Sequence, residues 1–221
     1  MALLPKLIVG PADKIVVCGD SITAPTGGWW FHLAGMACTA TAVVSVPGRG
    51  MSYRNGGPPP GISWVNSGVS GDKIADIQAA VASRITAYGA QCLIMAIGVN
   101  DVRFSTTDPN FSTSFNATID AALAAQPSLK ILSTGIFCNG EDIPNASDTD
   151  IANKNAIQLA TMVRVGGVYA DVRTPLVAWE AVNNPGHAVS GFLTQEGFHP
   201  NALGNTLISE WVYPYVQYPG R

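Results

Sequence analysis

The chain has 221 residues, enough for one α/β domain with a full core, and no linker composition divides it, so residues 1–221 read as a single domain. Hydrophobic residues make up 47% and charged residues 12%, about half the usual share, which excludes a disordered chain. Twelve Lys+Arg against 15 Asp+Glu leave a net charge of −3, so no basic surface for nucleic acid is expected.

No apolar run reaches the roughly twenty residues of a membrane span, and 1–9 is too short and too broken by Pro5 and Lys6 for a signal peptide. The lysine-poor composition slightly favours a secreted or periplasmic setting over the cytoplasm. Cys18, Cys38, Cys92 and Cys138 show no CxxC spacing and no metal pattern with the three histidines, so neither metal nor cofactor is expected. Oligomeric state leaves no mark.

Lys14 to Cys18 is a short apolar run that breaks at Gly19-Asp20-Ser21, the pattern of a buried strand stopped by a turn. Alone, the tripeptide reads rather as a turn and helix cap than as a site. An aromatic-rich helix follows, with Trp29, Trp30 and Leu33 and then 34–40. The stretch 41–61 holds an apolar run and a Gly/Pro-rich loop, either an extra strand or an extended insertion; the part at 47–61 is expected on the edge away from the site unless it wraps around.

Ile62 to Asn66 reads as a second main strand, broken at Ser67-Gly68. Ile74, Ile77, Val81 and Ile85 recur at helical spacing behind it. Cys92 to Ile97 is a third strand, ending in Gly98-Val99-Asn100-Asp101. Phe111, Phe115, Ile119 and Leu123 mark a helix that stops near Pro127. Lys130 to Thr134 is a fourth strand. A helix through Ile151, Leu159 and Met162 ends at Gly166-Gly167, before a short fifth strand at Val168 to Asp171. A short helix at 174–182 and a loop at 183–195 lead to Glu196-Gly197-Phe198-His199-Pro200. The final helix carries Leu203, Leu207, Ile208, Trp211 and Tyr215, with Pro200 expected in its first turn.

Short, uniformly apolar strands alternating with helices predict a parallel sheet covered on both faces. Such a sheet places its site at the carboxyl ends of the strands. Four punctuations fall there: Ser21, Gly68, Asn100 and His199. Ester hydrolysis by a serine needs a hydroxyl, a base beside it, and donors aimed at the developing oxyanion. Ser21 can supply the hydroxyl and His199 the base. Glu196, three residues earlier, can orient the imidazole. The N–H groups of Ser21 and Gly68 and the amide of Asn100 can form the oxyanion hole. Each has a plainer role open to it: Gly68 as a turn glycine, Asn100 as a strand-end cap, His199 as a helix cap, Glu196 as a solvated side chain.

The four blocks, in this order from residue 19 to residue 200, resemble the signature blocks of the SGNH (GDSL-type) hydrolases. The resemblance implies a flavodoxin-like three-layer α/β/α sandwich with a five-stranded parallel sheet of order 2-1-3-4-5. It also implies a metal-free serine esterase, with Ser21 as nucleophile, His199 as base and Gly68 and Asn100 as oxyanion donors. The family usually carries aspartate three residues before the histidine, where this chain has Glu196. Glu196 orienting His199, a Ser-His dyad, and an impaired enzyme all stay open, the first being favoured.

The loops 102–109, 137–148 and 183–195 are polar and modest in length, with Phe104, Ile143, His187 and Phe192 as their main large side chains. They suit short acyl esters, such as acetyl groups on carbohydrate, better than a long acyl chain. An acyltransferase with the same site, or a binding module with a decayed one, are the alternatives.

Overall fold

The computed structural model describes residues 5–10, 12–25, 28–37, 41–45, 51–55, 62–138, 147–185, 193 and 198–218. Glu196, Ile143, His187 and Phe192 lie outside the described residues.

Among the described residues nine strands form two sheets: β1 (Leu7–Ile8), β2 (Lys14–Gly19), β3 (Thr41–Ser45), β4 (Met51–Asn55), β5 (Ser63–Asn66), β6 (Cys92–Ala96), β7 (Lys130–Thr134), β8 (Val168–Ala170) and β9 (Val216–Gln217). The main sheet runs β3-β4-β5-β2-β6-β7-β8. Its five parallel strands, β5-β2-β6-β7-β8, stand in the expected order 2-1-3-4-5 when counted among themselves. The 41–61 stretch supplies two further strands, paired antiparallel to each other and to β5. A separate parallel pair, β1 with β9, was not legible in the sequence, because two residues carry no periodicity.

The helices are α1 (Trp29–Ala37), α2 (Ile74–Ala79), α3 (Val81–Arg84), α4 (Val99–Arg103), α5 (Asp108–Ala125), α6 (Asp148–Val165), α7 (Arg173–Asn183) and α8 (Ala202–Val212). Successive strand residues point to opposite faces of the sheet, and both faces are dry. Ile15 and Val17 of β2, with Cys92 and Ile94 of β6, pack with Trp29, Trp30 and Leu33 of α1 and Ile208 and Val212 of α8. Val16 and Cys18, with Leu93 and Met95, pack against Ile74, Ile77, Phe111, Phe115 and Ile119 on the other side. The result is the three-layer sandwich. Cys18, Cys92 and Cys138 are buried free thiols.

Three local expectations are corrected. The helix expected around Ile74 to Ile85 is two short helices meeting at Ala80, whose φ of −121° leaves the helical region. A helix stands where Gly98-Val99-Asn100-Asp101 read only as a strand end; Gly98, at φ +127°, makes the turn into it. Pro200 does not occupy the first turn of α8. Asn201 caps that helix, accepting from the Gly204 N–H at 2.9 Å, so Pro200 precedes the cap.

Candidate active site

The carboxyl ends of β2, β5 and β6 converge. β2 ends at Gly19, and the Thr23 and Ala24 N–H groups turn back onto the Asp20 carbonyl. Asp20 is buried, and its Oδ1 accepts from the Ile22 N–H at 2.9 Å, fixing the turn that exposes Ser21. Burial pushes the Asp20 carboxyl up to about 7, with the Asp101 carboxylate adding to the rise. The Ser21 hydroxyl meets His199 Nε2 at 2.8 Å, across 178 residues of sequence. The Ser21 N–H has no acceptor among the described residues. Pro200, Asn201 and Asn205 continue the wall beyond His199, with Asn205 Nδ2 donating to the Pro200 carbonyl at 3.3 Å. Together with Ser70 and the Ala24-Pro25 turn they enclose an open cleft of about 660 Å³ over the Ser21–His199 pair.

The turn after β5 is tied to the Ser21 turn. Asn66 Nδ2 donates to the carbonyls of Thr23 and Ala24, both at 3.0 Å. Asn66 Oδ1 accepts the Gly68 N–H at 2.8 Å, so that donor is spent inside the turn. A Cβ on Gly68 would stand 2.6 Å from the Ala24 nitrogen and 2.8 Å from the Thr23 carbonyl carbon, so glycine lets the two backbones touch. The residue of this turn that lines the cleft is Ser70. The N–H of its neighbour Gly71 has no acceptor among the described residues.

Asn100 lies in the first turn of α4 and is 3% exposed. Its Nδ2 donates one hydrogen to the Asp72 carbonyl at 3.1 Å, and an amide nitrogen carries two. Asp101 is fully buried; one of its oxygens accepts the Ile74 N–H at 3.0 Å, and burial raises its carboxyl to about 6.

Arg84 escaped the sequence reading. It is 4% exposed, donates to the Gly19 and Ser67 carbonyls, and ion-pairs with Asp72. One guanidinium thereby spans the end of β2 and both flanks of the turn after β5. The sequence offered a weak signal, a cation one residue before Ile85 on an otherwise apolar helix face. Its main partners are backbone carbonyls, which a sequence does not display.

Among the described residues no three His, Cys, Asp or Glu side chains gather as a metal site, and no helix is long and apolar enough to cross a membrane.

A serine hydroxyl thus meets a histidine at the carboxyl edge of a doubly covered parallel sheet, the edge where such sheets hold their ligands. Residues 17–207 match the model of the GDSL-like lipase/acylhydrolase family, and the chain belongs to that family. No curated protein matches at a significant level. Among solved structures the fold is similar to an acetylxylan esterase, Axe2, from Geobacillus stearothermophilus. That match has a TM-score of 0.70 at 16% identity, over 95% of this chain and 98% of that one. It is also similar to the acetyl xylan esterase AlAXEase, with a TM-score of 0.71 at 20% identity over 90% and 98%. A lipase/acylhydrolase from Enterococcus faecalis gives 0.67 at 15% identity over 91% and 93%.

Proposed function

We propose that the protein is a serine ester hydrolase that removes short acyl groups, acetyl groups on carbohydrate foremost, through an acyl-serine intermediate. The observation that carries this reading is the 2.8 Å contact between Ser21 Oγ and His199 Nε2 beneath an open cleft. His199 takes the Ser21 proton as the hydroxyl attacks the ester carbonyl, then gives it to the departing alcohol. Water, deprotonated by the same imidazole, releases the acid and restores the serine.

The oxyanion needs donors that are not already bonded. The Ser21 N–H and the second hydrogen of Asn100 Nδ2 meet that requirement. From the turn after β5, Gly71 takes the place expected for Gly68, whose N–H is held by Asn66. Glu196 is assigned to orient His199. In support, structures of Axe2 described as catalytic mutants replace a serine, a histidine and an aspartate three residues before that histidine. The acetylxylan activity named for two of the similar structures, the short polar loops and the mixed polar and apolar cleft lining support a small acyl group.

A fluorophosphonate probe tests the assignment. It labels the native protein and fails to label Ser21→Ala; equal labelling of both removes Ser21 as nucleophile. Glu196→Gln is expected to lower kcat strongly, by up to about 10⁴-fold if it behaves as a triad member. Near-native kcat leaves a Ser21–His199 dyad instead.

A further inference from the structure

Four arginine side chains are described in this chain. Three meet carboxylates: Arg84 on Asp72, Arg164 on Asp120 and Arg173 on Asp148. Arg103 meets none, and no hydrogen bond claims its five N–H donors among the described residues. It sits one helical turn beyond Asn100 at the end of α4, exposed to solvent.

Its surroundings are aromatic. The guanidinium carbon lies 4.8 Å from the centroid of the Phe198 ring and 5.4 Å from that of Phe104. Phe198 in turn packs its ring 4.3 Å from the ring of His199. Two aromatic faces steady a guanidinium while leaving its in-plane donors free, which lowers the entropy lost when those donors are bound. Phe104 is 59% exposed, a large apolar ring facing water at the rim. The backbone beside it is held in an unusual shape, Ser105 standing at φ +53°. The cleft lining includes His199 and Pro200 but not this group, which therefore forms an adjoining surface reached past His199.

We infer that Arg103, Phe104 and Phe198 form a subsite for a carboxylate carried on the non-reacting part of the substrate, as on a uronic acid residue beside the acylated sugar. This rests on the esterase reading above. The guanidinium fork matches a planar carboxylate in two parallel hydrogen bonds, and the exposed Phe104 face offers a flat apolar surface for the C–H face of a sugar ring. The stack from His199 through Phe198 to Arg103 places the charge within the span of one or two sugar rings of the reacting ester.

Two measurements test this. The first compares kcat/KM for an acetylated oligosaccharide containing a uronic acid with that for its neutral xylo-oligosaccharide counterpart. The native enzyme should prefer the acidic ester, and Arg103→Gln should shrink that preference about 10- to 100-fold, mainly through KM. Arg103→Lys should recover only part of it, since an ammonium cannot form the paired bonds. Equal treatment of both esters by the native enzyme overturns the subsite and leaves the esterase standing. The second titrates the native protein with unacylated digalacturonate, which reports on the subsite without catalysis. Binding that weakens with added salt and is lost in Arg103→Gln supports it. No binding, binding unaltered in Arg103→Gln, or tighter binding of a sugar phosphate than of digalacturonate overturns it. Absence of fluorophosphonate labelling fails the esterase reading separately.

Discussion

The two edges of the sheet use the same device in different surroundings. At the carboxyl edge, Arg84 bonds two backbone carbonyls and pairs with Asp72, all but sealed from water. At the amino edge, Lys130 bonds the Ile8 carbonyl at 2.8 Å and Asp13 at 2.7 Å, and its side chain is 40% exposed. Each cation clips neighbouring segments together. Water sets the difference: a half-exposed ammonium that loses its partner is rehydrated at once, whereas a buried guanidinium and its acceptors have no substitute. The carboxyl edge therefore depends on its clip.

Arg84→Met should break that edge. Leaving Asp72 and two carbonyls without their donor is expected to cost roughly 3–5 kcal/mol in denaturant unfolding. Because Gly19 and Ser67 flank the Ser21 turn and the turn after β5, kcat on p-nitrophenyl acetate is expected to fall further than KM rises, if the esterase proposal holds. A stable variant with native kcat would show that the clip does not position the site. Arg84→Lys keeps the charge but not the fork, and should fall between the two.

Asp20 gives an intermediate effect, read through pH. Its folded value of about 7 lies above the ordinary carboxylate range. Between roughly pH 4 and 7 the folded chain therefore holds a proton that the unfolded chain has released. The stability associated with that proton is full below this window and is lost as pH rises through it. The native Tm should decline across the window, and Asp20→Asn should flatten the decline. Parallel Tm profiles for the two proteins would contradict a protonated Asp20. The smallest change is expected from Lys130→Met, within about 1 kcal/mol in stability and with unaltered kcat.

Fold and site were legible to different depths. The five parallel strands followed from short apolar runs, since a strand buried on both faces cannot alternate in polarity; their order came only with the resemblance to the SGNH hydrolases. The meeting of Ser21 and His199 was legible because Ser21 stands where an apolar run breaks into a turn and His199 where a loop leads to the last helix, and the parallel sheet brings such points to one edge. Gly68 shows where that reasoning stops. A glycine in this turn is visible in the sequence, but the capture of its N–H by Asn66 depends on a side-chain rotamer. Arg84 was hidden for a related reason, since its partners are mostly backbone. The helix α4 has five residues, too few to display a period, and its start depends on the positive φ of Gly98.

The β3–β4 pair bears on the mechanics of the site through β5. In a five-strand sheet β5 would be a border strand, free to fray on its outer side. Here β4 pairs with it at Ser63, Trp64 and Val65 while β2 pairs with it from the other side. The strand that delivers Asn66 to the Ser21 turn is thus splinted on both flanks, and the fraying border is displaced two strands outward. Amide hydrogens of β5 should accordingly exchange on the slow timescale of the central sheet, and a graft that removes the β3–β4 pair would convert a rigid support into a breathing one.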